Sequence, residues 1–92
     1  MPKRDLHGRH PDIINRLRRS EGHLRTIIAM LEERRTCLDV AQQLHAVERA
    51  IVAAKKMLIH DHIDHCLEQA VGPASSRPGA PIEEFKEITK YL

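Results

Sequence analysis

The sequence predicts an all-α fold with three helices in each chain, two long and one short at the C-terminus. Apolar residues recur with the helical period of about 3.6 residues along most of the chain. Neither Gly nor Pro occurs between residues 36 and 71. Aromatic residues make up only 2% of the 92 residues, so the core must consist of aliphatic side chains, which suits helix packing. No stretch has the alternating pattern of a strand.

The first helix is expected to begin at Pro11, after a polar and mobile N-terminus of residues 1–10. Asp12 lies in the first turn, where the helix dipole favours a carboxylate. The helix is expected to end near Arg34 and Arg35, whose charges complement the other end of the dipole. Its apolar stripe, which is interrupted at Ser20 and Glu21, consists of Ile13, Ile14, Leu17, Leu24, Ile27, Ile28 and Leu31.

The second helix is expected to run from Thr36, a plausible N-cap, to residue 71. Asp39, three residues after Thr36, resembles the acidic half of a capping box. At 1.5 Å per residue this helix is about 50 Å long, which is too long for the first helix alone to cover. A partner chain is therefore expected along its apolar stripe, which consists of Val40, Leu44, Val47, Ile51, Leu58, Ile63 and Leu67.

The C-terminal part is expected to form a loop at residues 72–81 and then a short helix that begins at Pro81. Gly72 and Pro73 end the long helix. The short helix has an apolar side made of Ile82, Phe85, Ile88 and Leu92. The whole chain, residues 1–92, is interpreted as one domain, and so small a domain commonly completes its core by oligomerisation.

Charge is unevenly distributed, although the net charge is only +2. Most arginines lie between Lys3 and Arg35, and the chain after Asp61 is acidic. This asymmetry predicts an anionic partner for the first part, with nucleic acid favoured; a solvated helix face is the alternative. The sequence has neither a membrane-spanning apolar stretch nor a signal peptide, so a cytoplasmic location is expected.

Three residues in the second helix have the chemistry and spacing of metal ligands. His62 and Cys66 are four residues apart, so their side chains share one helix face. A surface His and a buried Cys can also meet at this spacing by chance. Cys37 lies 25 residues before His62, about 37 Å along a straight helix, and cannot join the pair within one chain. In an antiparallel dimer whose two-fold axis passes near residues 50 and 51, it lies beside the partner's pair, giving two equivalent sites.

Two thiolates and one imidazole favour Cu(I), a soft ion that accepts low coordination numbers. Zn(II) or Ni(II) would require a fourth ligand. His7 and His65 are the possible extra ligands, with His10 and His60 as weaker candidates. Because both cysteines are expected in a reducing compartment, metal or thiol chemistry is favoured over a structural disulfide.

The chain resembles the family of copper-sensitive operon repressors, which also has nickel/cobalt-, formaldehyde- and persulfide-responsive members. The resemblance rests on residues 15–24 (NRLRRSEGHL), 30–32 (MLE), 37–40 (CLDV), 42–44 (QQL) and 60–66 (HDHIDHC). The spacing of Cys37, His62 and Cys66 resembles the Cu(I) fingerprint of the family. The resemblance implies a disc-shaped tetramer of antiparallel dimers and a repressor that leaves its operator when Cu(I) binds. It also implies that Glu84 lies behind the metal ligands, whereas Thr36 replaces a tyrosine of copper-responsive members.

DNA binding is predicted from basic residues on helix faces, because no helix-turn-helix, zinc finger or basic zipper is present. The candidates are Arg16, Arg18, Arg19, Arg49, Lys55 and Lys56. The resemblance most directly supports Arg16, Arg18 and Lys56. A thiol or persulfide sensor that joins Cys37 to the partner's Cys66, and a metal buffer with no DNA role, are the rival interpretations. No Gly-rich loop or nucleophile with an orienting base is present, so no enzyme is expected.

Overall fold

The structure is a computed structural model that describes residues 8–71 and 80–92, except for the side chains of residues 66, 68–71, 80 and 81. It contains three helices, α1 (His10–Glu32), α2 (Cys37–Val71) and α3 (Ala80–Ile88), and a 3₁₀ turn at Thr89–Tyr91. The described residues include no strand, and the prediction of an all-α chain is confirmed. The predicted ligand His7 and residues 72–79 of the predicted loop lie outside the described residues.

The end of α1 is a Schellman motif centred on Arg34, two residues beyond the last helical residue. The N–H of Arg35 donates to the carbonyl of Met30 at 2.9 Å, and the N–H of Arg34 donates to the carbonyl of Leu31 at 3.1 Å. This pair of bonds satisfies carbonyls that the end of a helix would otherwise leave without partners. Arg34 has a positive φ of 61°, as the motif requires at this position. The helix therefore ends at Glu32, just before the predicted arginines.

The start of α2 confirms the predicted cap. The hydroxyl of Thr36 accepts a hydrogen bond from the backbone N–H of Asp39 at 3.1 Å. The carboxylate of Asp39 lies 3.5 Å from the guanidinium of Arg35. Both interactions favour a helix that starts at Cys37, because they satisfy an N–H of its first turn and place a carboxylate near its positive end.

The described residues form two compact units, which are described separately. The hairpin unit comprises Pro11–Lys55, and the C-terminal unit comprises the described residues 8–10 and those from Lys56 to Leu92. In the hairpin unit, α1 and α2 run antiparallel, and their buried core contains Ile27, Met30, Val40 and Val47. A hydrogen bond of 2.7 Å between His23 Nε2 and Gln43 Oε1 also joins the two helices.

The core of the hairpin unit uses only part of the predicted stripes. Ile13 and Ile27 of α1 are buried, but Ile14, Leu17, Leu24, Ile28 and Leu31 are 40–58% exposed. Ser20 is buried, with 6% of its surface exposed, although the sequence predicted an interruption there. Its spacing of seven from both Ile13 and Ile27 places it on the same helix face as these two residues. Ser20 therefore interrupts the stripe only because its hydroxyl is polar; the residue itself is buried in line with Ile13 and Ile27.

None of the helices formed by the described residues has both the length and the apolar character that crossing a membrane requires.

Candidate metal centre and nucleic-acid interface

His62 of α2 lies against Glu84 of α3 in the C-terminal unit. The Nε2 atom of His62 is 3.6 Å from Oε1 of Glu84, and the imidazole side chain is 20% exposed. This distance is long for a hydrogen bond, so the attraction is mainly electrostatic and depends on positive charge at the ring. The family resemblance implied that Glu84 lies behind the metal ligands, and the structure places it beside His62, one of the predicted ligands.

A cavity with acidic walls lies beside His62. Its volume is about 390 Å³. Apart from His62, the lining comes from α3 and the following turn, and consists of Glu83, Glu84, Glu87, Ile88 and Tyr91. Three carboxylates in this wall create a negative potential at His62. A cation bound to this imidazole would be stabilised by the potential, which makes α3 sensitive to the charge at His62.

The two thiols are placed differently. Cys37 is the first residue of α2, and its side chain is exposed as a free thiol. Cys66 lies in the last third of α2, and its side chain is outside the described part of the molecule. Among the side chains that are described, no three His, Cys, Asp or Glu residues come close enough together to hold a metal ion. The ligand set of Cys37, His62 and Cys66 therefore stays a prediction.

Two of the other candidate ligands, His60 and His65, lie near His62 along the chain. His65 is half-buried, one helical turn after His62, whereas His60 is exposed. The Nε2 atom of His10 lies 3.9 Å from a carboxylate oxygen of Asp61, which is the residue before His62. Sequence reasoning did not find this contact between the start of α1 and α2. The periodicity of the sequence does not indicate such a contact, because the contact depends on how the two residues are placed in three dimensions.

The predicted DNA-contacting residues are exposed on both units. Arg16, Arg18, Arg19, Arg49 and Lys55 belong to the hairpin unit, and Lys56 belongs to the C-terminal unit. Arg25, which shares the arginine-rich helix, lies 3.3 Å from the carboxylate of Glu21. This pair cancels its own charge, so Arg25 adds little to the positive potential of α1.

A second cavity lies beside these arginines in the hairpin unit. Its volume is about 220 Å³, and its lining consists of Arg16, Arg19, Ser20, His23 and Ala50. The sequence prediction included the two arginines but missed Ser20 and His23. A polar residue at a buried stripe position was the signal that could have identified Ser20.

The family of the chain follows from its similarity to known proteins. Residues 9–91 match the family model described as metal-sensitive transcriptional repressor. The chain belongs to this family. The members of this family are transcriptional repressors and not enzymes, as the sequence predicted. No solved structure gives a significant match.

Curated relatives place the chain near the copper-responsive members of the family. It is 37% identical over 78 residues to the copper-sensing transcriptional repressor CsoR of Mycobacterium ulcerans. That alignment covers 85% of the chain and 65% of the relative, so the chain spans slightly less than two thirds of that protein. It is 36% identical over 80 residues to CsoR of Bacillus subtilis, covering 85% of the chain and 79% of the relative. A 65-residue match to the copper-sensing repressor RicR of Mycobacterium tuberculosis is 43% identical, covering 71% of the chain and 66% of the relative. The resemblance found in the sequence is thus confirmed.

Proposed function

We propose that this chain is a cytoplasmic repressor that responds to Cu(I). In this proposal an apo homotetramer, assembled from two antiparallel dimers, binds operator DNA. Cu(I) binds between subunits at Cys37 of one chain and His62 and Cys66 of the other, and the operator is released. Genes for copper efflux and homeostasis are then transcribed. The copper-sensing function of the relatives and the presence of two thiols and one imidazole at the fingerprint spacing support this proposal.

The observation that carries the proposal is the contact between His62 and Glu84. Metal-binding histidines commonly donate their second ring N–H to a carboxylate, which orients the ring and strengthens it as a ligand. The Nε2 atom of His62 faces Glu84 at 3.6 Å, and in this proposal the distance shortens to that of a hydrogen bond when the metal binds. The Nδ1 atom is then the nitrogen that would bind Cu(I). Through the same contact Glu84 would connect the metal to α3, so that metal binding would change the position of this helix.

The donor set favours Cu(I) over other metals. Thiolates are soft ligands, and three-coordinate sites rich in sulfur suit Cu(I). Zn(II) and Ni(II) would need a fourth ligand, for which His7 and His65 are the candidates. A thiol or persulfide sensor would need Cys37 and Cys66 but not His62. The substitution that removes the response of DNA binding to the effector distinguishes these alternatives.

Copper binding would act on DNA affinity through the relative placement of the helices. Cu(I) would join the start of one α2 to the end of the partner's α2, and Glu84 would draw α3 toward the loaded site. The basic residues of α1 and α2 would then fit the DNA backbone less well. Because the coupling is reciprocal, operator DNA must weaken Cu(I) binding by the same factor as Cu(I) weakens DNA binding.

The test measures operator affinity by fluorescence anisotropy, anaerobically, with and without Cu(I). The operator is first selected from genomic fragments by the apo protein. We expect Cu(I) to weaken binding by about 5–150-fold, the usual range of allosteric coupling. Cys37→Ala, His62→Ala and Cys66→Ala should each abolish the effect, whereas His45→Ala, an exposed control on the same helix, should retain it.

Three outcomes would contradict the copper site. Operator affinity that does not change with Cu(I) would reject the proposed effector. A response lost in His7→Ala but kept in Cys37→Ala would indicate a nickel- or zinc-type site. A thiol sensor would be indicated by a third result. The unsubstituted protein and His62→Ala would both release DNA equally with polysulfide, and neither would respond to Cu(I).

A further inference from the structure

The last third of α2 carries a second pair of polar residues beside the predicted ligands. Asp61 and His65 are four residues apart, so they share one face of the helix in the same way as His62 and Cys66 do. Successive residues of a helix are about 100° apart around its axis, so the two faces are neighbours. The side chain of Asp61 is only 12% exposed, and His65 is half-buried. The pair outside the predicted copper site is therefore largely shielded from solvent.

His10, the first residue of α1, lies against Asp61. Its Nε2 atom is 3.9 Å from Oδ2 of Asp61 and is shielded from solvent, although 44% of the side chain is exposed. At this distance the interaction is electrostatic and is not a hydrogen bond. Carboxylates are rarely buried unless polar groups surround them, because burial removes their hydration. His10 supplies one of these polar neighbours, and the contact links the start of α1 to the residue that precedes His62.

The helix that begins at His10 continues without a break to the predicted DNA-contacting arginines of α1. Arg16, Arg18 and Arg19 follow His10 at about 9–14 Å along the helix axis, given a rise of about 1.5 Å per residue. Neither Gly nor Pro occurs between residues 12 and 21, so no kink is expected in this part of the helix. A displacement of His10 would therefore be passed on to these arginines.

We propose that the contact between His10 and Asp61 couples Cu(I) binding to the position of α1, an inference that rests on the proposed copper response. Binding at His62 and Cys66 fixes the rotation of this end of α2 about its axis, because both side chains must point at one ion. Asp61 lies on the neighbouring face, so the same rotation displaces its carboxylate and, with it, His10. This route is separate from the contact of His62 with Glu84, which leads to α3. His10 and Asp61 are thus positioning residues, which contact neither the metal nor the nucleic acid.

A second pair of a histidine and a carboxylate, on α2, provides a matched control. The Nδ1 atom of His45 lies 4.0 Å from Oε1 of Glu48, a separation close to that of the pair formed by His10 and Asp61. The two side chains are 70% and 74% exposed, and both residues belong to the same helix. Substitution of His45 removes an imidazole beside a carboxylate but leaves the link between α1 and α2 intact. The comparison therefore separates this link from the loss of a histidine.

The experiment measures the operator affinity of the full chain by fluorescence anisotropy, anaerobically, with and without saturating Cu(I). Competition with a chelator measures Cu(I) affinity. The ratio of the two operator affinities is the coupling factor, which should be about 5–150 for the unsubstituted protein. His10→Ala and Asp61→Ala should each lower this factor toward one by about 2–30-fold, the range for residues that transmit coupling without contacting either ligand. The operator affinity of the apo protein and the Cu(I) affinity should stay unchanged.

Further variants show whether the two residues act as one pair. The double variant His10→Ala/Asp61→Ala should lower the coupling factor no more than either single substitution does, since the loss of one partner already breaks the contact. His10→Lys keeps a positive group facing Asp61 and should retain the coupling, and His45→Ala should match the unsubstituted protein. Circular dichroism melting curves check that each variant is folded. Should Asp61→Ala be unfolded, His10→Ala and His10→Lys still decide the matter.

Several results would overturn the inference. If His10→Ala has the same coupling factor as His45→Ala, the contact transmits nothing, and the copper response itself stands. If His10→Ala loses Cu(I) affinity, His10 is a metal ligand and not a positioning residue. If the losses add in the double variant, the two residues act independently of each other. If the unsubstituted protein does not respond to Cu(I), the proposed function itself fails.

Discussion

Arg34 has a backbone conformation that is unfavourable for a residue with a Cβ atom. Its φ of 61° lies in the left-handed region, which a non-glycine residue enters at a cost of about 1–2 kcal/mol. Glycine is the usual residue at this position of a Schellman motif because it has no Cβ. The two hydrogen bonds donated by Arg34 and Arg35 keep the conformation in place despite this cost.

Replacement of Arg34 by glycine is therefore expected to stabilise the fold. Relief of the left-handed strain is partly offset by the larger entropy of glycine in the unfolded chain, so we expect a net gain of about 0.5–1 kcal/mol in the free energy of unfolding. Urea denaturation followed by circular dichroism measures it. Arg34→Ala is the control, since it removes the charge but keeps a Cβ. Equal effects of the two substitutions would contradict the conformational explanation.

Single residues differ in how well the sequence could predict them. Thr36 was identifiable as a cap because capping is local: its partner, the N–H of Asp39, is three residues away. Glu84 was found only through the family resemblance, because its distance from His62 along the chain carries no geometric information. The hydrogen bond between His23 and Gln43 joins two helices. Its prediction would need the relative rotation of α1 and α2, which periodicity alone does not determine.

At the scale of elements, α3 is the helix that depends most on its surroundings. It has only nine residues, which is too short for stability in isolation. Ile82 and Phe85 are exposed, so little apolar burial holds it within the described residues. The contact of Glu84 with His62 is one of its attachments, and the 390 Å³ cavity lies beside that contact. The position of α3 should thus respond to the charge at His62.

Tyr91 provides a reporter for this response. It is the only tyrosine in a chain without tryptophan, and it lines the cavity beside His62. We expect Cu(I) to change the emission and the near-ultraviolet circular dichroism of Tyr91. Glu84→Gln should remove most of the change while leaving Cu(I) bound, as measured by competition with a chelator. Lys86→Gln, an exposed control on α3, should not affect it. A full spectral change in Glu84→Gln would show that α3 responds by another route.

The existence of the helices was predictable, but the distribution of their apolar residues between core and surface was not. Periodicity identifies the apolar face of a helix and does not say which partner covers it. Val40 and Val47 are buried by α1, whereas Leu44 and Ile51, on the adjacent part of the same face of α2, remain exposed. The 72–79 segment and the side chain of Cys66 lie outside the described residues, so the complete metal site stays a prediction from the sequence.

At the scale of the whole molecule, the proposed dimer would cover apolar side chains of α2 that are exposed in the single chain. Leu44, Ile51 and Leu58 repeat every seven residues along α2 and are 39–46% exposed. Soluble monomers rarely leave extended apolar surfaces uncovered. The proposed antiparallel dimer would cover this stripe, and its two-fold axis near residues 50 and 51 would place each Ile51 close to its copy.

Ile51→Glu is therefore expected to weaken the dimer, because the substitution places two like charges next to each other at the axis and buries them. Sedimentation velocity should show a shift toward monomer at micromolar concentration, and Cu(I) affinity should fall, since the ligands would come from two chains. Ala46→Glu is the control: it adds the same charge at an exposed position on another face of α2. If Ile51→Glu sediments like the unsubstituted protein and is equally folded, the axis does not pass near residue 51. Retention of tight Cu(I) binding by a monomeric variant would further require all ligands to come from one chain, which would contradict the inter-subunit site.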